Sequence, residues 1–153
     1  MANIVFNIAK GRVVEYYNRV KSNDPANSAL IIVPIETSGL EADATLIDAD
    51  DLAAVLAGTT NEQSTMGRKT LTDADLAALP SPDDTNDRYD VSLPTVTWTA
   101  ATGNAISKLL VCYDSDTTGG ADSAIIPLTM FDFAQTPSGA DIQMTTGVFF
   151  RAS

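Results

Sequence analysis

The sequence predicts a mainly β domain, an antiparallel β-sandwich or jelly-roll-like fold carrying one or two short helices. Three observations lead there. From Tyr89 onward, short runs rich in Val, Ile, Thr, Phe and Tyr alternate with Gly, Asp, Ser and Thr turns. Helical signals are confined to two brief stretches, about 48–57 and 73–79. The length, 153 residues and 16.1 kDa, suits one domain over 1–153 that buries most of its unfolded surface without a metal or a disulfide.

Residues 11–25, GRVVEYYNRVKSNDP, carry two signals that disagree. Val13, Tyr16, Tyr17 and Val20 stand at i, i+3, i+4 and i+7, one face of a helix with Arg12, Glu15 and Arg19 largely off it. Yet these four and Val14 are all β-branched or aromatic, and that composition tips residues 12–21 towards a strand. SNDPANS then reads as a turn. ALIIVPIE reads as a short buried strand whose Pro34, unable to donate to a ladder, places it at an edge or a bulge.

DADDLAAVLAG predicts a helix over 48–57, with Asp48 as N-cap, acids in the first turn and Gly58 as the stop. Leu52, Val55 and Leu56 form the stripe that would pack on a sheet. A second helix of one or two turns follows from Thr72 as cap, Asp75 at the capping-box position and Pro80 as terminator. SPDDTNDR, residues 81–88, reads as an exposed acidic loop. YDVSLPTVTWTA, AISKLLVCYD, SAIIPLTMFDFA and DIQMTTGVFFRAS then supply the strands, separated by ATGN, SDTTGGAD and QTPSGA.

Charge and composition remove several function classes. There is no histidine, so the usual general base near neutral pH, the imidazole metal ligand and the Ser-His-Asp and Cys-His triads are all missing. The reading is therefore of a protein that is not an enzyme. Nine Lys plus Arg against 20 Asp plus Glu give a net charge of −11, which repels nucleic-acid backbones and anionic membranes. Cys112 stands alone in LLVCY, an apolar setting for a buried thiol without an intrachain partner. The apolar run 29–35 is far shorter than the roughly 18 residues of a membrane span, and MANIVFNIAK lacks the charged start of a secretion signal, so a soluble protein is expected.

Candidate sites are few. Residues 114–122, DSDTTGGAD, offer three carboxylates near glycines, the ingredients of a Ca²⁺ loop. The fifth position is Thr118 and the twelfth is Ile125, so the better reading is a solvated hairpin loop in which Gly119 and Gly120 take positive φ. Asp48, Asp50 and Asp51 are explained by a helix N-terminus, and no acid stands out as a glycosidase carboxylate. No cofactor and no metal site is expected. The uneven charge says more: Lys10, Arg12, Arg19 and Lys21 face only Glu15 and Asp24 up to Pro25, so the basic N-terminal segment of about residues 1–25 is +2 and the remainder −13. That stripe is a candidate contact for an acidic partner or a neighbouring subunit. Tyr16, Tyr17, Phe131 and Phe133 are better placed in a core than at an interface. Phe149 and Phe150 are adjacent, so in a regular strand one ring turns outward and becomes a candidate contact.

Taken together, KGRVVEYYNRVKSNDPANSALIIVPIE, DADDLAAVLAG with TTNEQ and GRKTLTDADL, DDTNDRYDVSLPTVTWTA, and KLLVCYDSDTTGGADSAIIPLTMFDFAQTPSGADI with GVFFRAS resemble a group of small virion structural proteins of tailed bacteriophages. The resemblance covers nearly the whole chain. It implies a capsid decoration (cement) protein on the outside of the shell, made in the host cytoplasm. Such a chain would bridge major capsid subunits by non-covalent contacts, as a homo-oligomer with a trimer favoured, touching neither nucleic acid nor membrane directly. It assigns no residue a role. A head-tail completion or tail protein is the alternative within the virion, and a polysaccharide-binding module or enzyme acting on the host surface is the alternative of another class.

Overall fold

The computed structural model describes residues 4–153; the first three residues of the expected 1–153 domain and 1–25 basic segment lie outside the described residues. Strands make up 35% of the chain and helices 18%, and every strand pair is antiparallel. The β-rich class with short helices is therefore the one the sequence predicts.

The centre is a five-stranded sheet in the order β1-β7-β6-β2-β3, built from β1 (Ile4–Val5), β2 (Ala29–Glu36), β3 (Lys69–Leu71), β6 (Ile106–Asp114) and β7 (Ile126–Gln135). Strands β2 and β6 are buried along almost their whole length. Alternation sorts their side chains to two faces. Leu30, Ile32, Leu109, Val111 and Tyr113 go to one side, and Ala29, Ile31, Val33, Ile35, Leu110 and Cys112 to the other.

The first face is covered by helix α1 (Val13–Lys21) and by two ribbons. One ribbon joins β4 (Tyr89–Leu93) to β9 (Gly147–Ala152), and the other joins β5 (Val96–Trp98) to β8 (Ile142–Met144). Pro94 separates β4 from β5. The second layer of the sandwich is thus two ribbons and a helix rather than a continuous sheet. The opposite face is covered by Phe6, by α2 (Asp43–Leu46) and by α3 (Leu52–Val55).

Residues 13–21 are helical, which corrects the strand favoured by composition. In a strand Tyr16 and Tyr17 would point to opposite faces; in α1 they join Val13 and Val20, and all four are buried in one core. The propensity cost of such residues in a helix is at most about 0.7 kcal/mol each, whereas burying each side chain contributes roughly 1.5–3 kcal/mol. Packing wins.

The helix expected over 48–57 shrinks to one turn, α3, inside that span, and the one-turn α2 precedes it at Asp43–Leu46, where no helix was expected. Asp51, not Asp48, caps α3, its Oδ1 accepting from the Ala54 N–H at 2.7 Å. The Asp48 carboxylate accepts from the Asn7 side-chain amide and so holds the turn at Asn7–Ala9. The Leu52 N–H donates to the Ile125 carbonyl at 2.9 Å, which pins the start of α3 to the turn that leads into β7. Helix α3 ends at Val55, before the expected stop at Gly58. The capping box of Thr72 and Asp75 is present at α4 (Asp73–Leu76), which stops after one turn, short of residue 79.

Pro34 lies within β2 between β6 and the outer edge. Its carbonyl accepts from the Gln63 N–H at 2.9 Å, so its nitrogen also faces away from β6. Strand β3 pairs only with Leu30, Ile31 and Ile32, and Pro34 therefore falls where the ladder has given way to a loop.

Gly39, in the turn after β2, has φ +81°, and a Cβ there would run into the Thr59 carbonyl oxygen, a backbone atom that cannot swing aside. Gly39→Ala is expected to lower the unfolding free energy by about 1–3 kcal/mol. Gly119→Ala, which would meet nothing within 4 Å, is expected to change it by less than about 0.5 kcal/mol. Urea midpoints of the two variants check the contrast.

Candidate functional site

An apolar groove of about 260 Å³ opens where the far half of β7 passes the β8–β9 corner. Phe131 and Phe133 line it from the sheet; Met144, Val148 and Phe149 line it from the ribbons, with Leu93 at its base. Its polar margin is Asp132, Gln143, Thr145 and Thr146. Phe131 and Phe133 are half-buried, a state that neither a core nor a solvated loop explains as well as an edge between two layers does. The volume suits one large apolar side chain, not a drug-sized ligand.

Phe149 is only 2% exposed and packs against Tyr17, with ring centroids 6.2 Å apart. It is a core residue, which removes it as a contact on the folded chain. Phe150 is half-buried rather than fully outward. The register explains this: Val91 faces Phe150 and Ser92 faces Val148, so Phe149 is the extra residue of a bulge and strict alternation is broken there.

The four basic candidates lie on or beside α1, and each is engaged. Arg12 and Arg19 share the Glu15 carboxylate at 3.3 and 3.1 Å, and hydrogen bonds from Arg12 and then Arg19 hold that carboxyl below its usual range. Arg12 also lies over the Tyr16 ring, 4.7 Å from its centroid, and Tyr16 stacks on Tyr113 at 4.6 Å. Lys10 donates to Asn7 Oδ1 at 2.5 Å. Lys21 is half-buried and donates to the carbonyls of Leu79 at 2.8 Å and Pro80 at 3.2 Å, so it joins α1 to the chain beyond α4.

In the 114–122 loop Asp114 and Asp116 serve the loop itself. Asp114 accepts from the Asp116 N–H; Asp116 accepts from the N–H and hydroxyl of Thr118, which lowers its pKa. Thr117 is tied to the Asn27 carbonyl through both its N–H and its hydroxyl. Asp122 accepts two bonds from Arg68, at 2.7 and 2.9 Å, and is held below the usual carboxylate range by them. Only Gly120 takes positive φ; Gly119 does not, a correction to the expected pair. Among the described residues no group of three or more Cys, Asp or Glu is placed to hold a metal ion, and no helix is long and apolar enough to cross a membrane.

Two charge clusters carry no local sequence signal. Arg68 bridges Glu62 and Asp122, bidentate to each, and these hydrogen bonds, from Asp122 first, raise its pKa. Lys108 on β6 sits between Asp43 of α2 and Asp132 of β7 at 3.1 and 2.9 Å. Burial pulls its pKa down, but the two carboxylates outweigh that and leave it raised. Burial above all drives the Cys112 thiol far up, so it stays protonated and unreactive in the core. The groove has little sequence signal either: its walls come from different layers, β7 of the central sheet and the β8–β9 corner of the ribbons, and only alternation at Phe131 and Phe133 hints at it. Comparison with protein-family models, with curated proteins and with solved structures finds no match for this chain.

Proposed function

We propose that this chain is a virion structural protein that decorates a capsid from outside and bridges major capsid subunits by non-covalent contacts. The observation that carries the reading is the chain-long resemblance to small virion proteins of tailed phages. The architecture is compatible with it. The central sheet is buried on both faces, and the ionisable side chains of the two interior clusters, around Arg68 and Lys108, join one segment of the fold to another. A protein that only binds requires this, a rigid scaffold and a complementary surface. In this reading the groove beside Phe131 and Phe133, and the accessible edge of Phe150, bury apolar side chains of the shell. Repetition over a symmetric lattice lets each contact be modest while occupancy stays high.

The test is copy number and position in purified virions. Quantitative mass spectrometry is expected to find the chain at a stoichiometry comparable to the major capsid protein, and a reconstruction to place it on the shell exterior. A few copies per particle, or density at the neck or tail, overturns the decoration role and moves the chain to the head-tail or tail alternative. Absence from virions overturns both.

A further inference from the structure

We infer that a second copy of this chain docks its acidic 81–88 loop against the basic face of α1. The argument starts from how each cation is matched. Arg68 and Lys108 each face two carboxylates. Arg88 and Arg151 share Asp90, with Asp83 close enough to Arg88 to feel its charge. Around α1 four cations meet two acids: Arg12 and Arg19 share Glu15, with Asp24 close enough to Arg19 to feel its charge, and Lys10 and Lys21 are held by neutral oxygens. Among the described residues Lys69, over the Trp98 ring at 5.9 Å, likewise pairs with no carboxylate and lies elsewhere, on β3. Positive charge unmatched by acid therefore gathers on one helix.

That face is presented, not merely charged. Arg12 and Arg19 remain 50% and 46% exposed, and the Tyr16–Tyr113 stack beneath Arg12 holds its guanidinium in place. Ordering cost on binding is reduced accordingly.

The complementary patch borders it. Lys21 holds the carbonyls of Leu79 and Pro80, and the Tyr89 hydroxyl donates to Asn18 Oδ1 at 3.1 Å, so residues 81–88 leave and return beside α1. Within that loop Asp83 turns inward to accept from Thr85 and Asn86. Asp84 and Asp87 are exposed and form no ion pair with a described residue. A molecule of net charge −11 repels its own kind in general, and an unlike-patch contact is where two copies attract. At about 0.15 M salt the Debye length is about 8 Å, which screens the general repulsion while leaving contact pairs in place. Unlike patches on one chain support a two-fold pair or a closed ring.

Sedimentation of the full chain from micromolar to millimolar concentration tests this. Self-association is expected at moderate salt and loss of it near 1 M. Reversing the helix (Arg12→Glu with Arg19→Glu) or the loop (Asp84→Lys with Asp87→Lys) is expected to weaken it by at least about tenfold. An equimolar mixture of the two reversed variants is expected to associate again, because each then offers what the other lacks. Circular dichroism confirms that each variant is folded, and Arg12→Gln with Arg19→Gln replaces the helix variant if it is not. A wild-type chain that stays monomeric, reversals without effect, or a mixture that fails to recover would each overturn the contact. The inference does not rest on the virion reading: a chain that associates this way yet is absent from virions keeps the contact and loses the decoration role.

Discussion

Replacing Trp98 by alanine is expected to lower the unfolding free energy by about 3–5 kcal/mol, the usual range for truncating a buried aromatic ring. Trp98 is 2% exposed on β5, opposite Ile142 of β8, and its indole N–H donates to the Gly67 carbonyl at 2.9 Å. It therefore joins three parts of the fold: its own ribbon, the loop leading into β3, and the core beneath. Alanine removes the ring and the donor together. For a domain of this size each kcal/mol shifts the melting temperature by roughly 2–4 °C, so the expected drop is about 6–20 °C. Trp98→Phe keeps most of the volume and loses the hydrogen bond, and is expected to cost about 1–2 kcal/mol. Far-UV circular dichroism in denaturant is the readout, since both substitutions remove the only tryptophan. A loss under about 1 kcal/mol for the alanine variant would mean that the ribbons do not pack on the sheet as described.

The parts of this fold that sequence reasoning reaches are those set by near neighbours. The short, bounded β-branched run Ile31, Ile32 and Val33 marks β2, and the spacing of Thr72 to Asp75 marks a capping box that is formed. Where reasoning from residue type fails, a distant partner decides. Val13, Tyr16, Tyr17 and Val20 are helical because the sheet offers one apolar face for all four to cover, a fact that residues 12–21 do not contain. Asp48 looks like a cap, and is drawn instead to Asn7, 41 residues away. Parity alone turns one of Phe149 and Phe150 fully outward, and a bulge opposite Val91 and Ser92 breaks that parity. At the candidate site the balance is similar. The basic stripe is legible because its members lie within twelve positions, while the groove requires knowing that β7 and the β8–β9 corner meet. The charge asymmetry also gains definition. Pairing inside the fold neutralises the cations of the body except Lys69 and leaves those of α1 only partly matched, so a net count along the chain understates how localised the positive charge is.

Removing Arg68 has the second large effect, and its pH dependence identifies the cause. The guanidinium lies between Glu62 and Asp122 with about a quarter of its side chain exposed, and the two acids are 17% and 36% exposed. Breaking a fully buried ion pair costs about 3–5 kcal/mol; with water reaching this one in part, Arg68→Met is expected to cost about 2–3 kcal/mol at pH 7. Methionine fills the space of the stem but leaves two carboxylates facing each other, which is why the cost exceeds that of losing a surface pair. The sign with pH follows from Asp122, whose folded pKa lies below its unfolded value because of the Arg68 hydrogen bonds. A depressed carboxylate contributes stability that is present above the unfolded pKa, near 4, and is lost as pH falls through the folded one. Wild type therefore loses this contribution in acid. The variant, freed of carboxylate repulsion as the acids protonate, loses less, so the gap between the two is full at pH 7 and closes below about pH 4. Urea midpoints measured from pH 7 to pH 3 give the comparison, with Lys108→Met as the contrast. Removing Lys108 leaves Asp43 and Asp132, whose side chains are 39% and 69% exposed and can be rehydrated, so its cost is expected to stay under about 1 kcal/mol. Equal losses at Arg68 and Lys108, or a gap at Arg68 that does not narrow in acid, would show that side-chain packing rather than charge holds the 114–122 loop to the sheet.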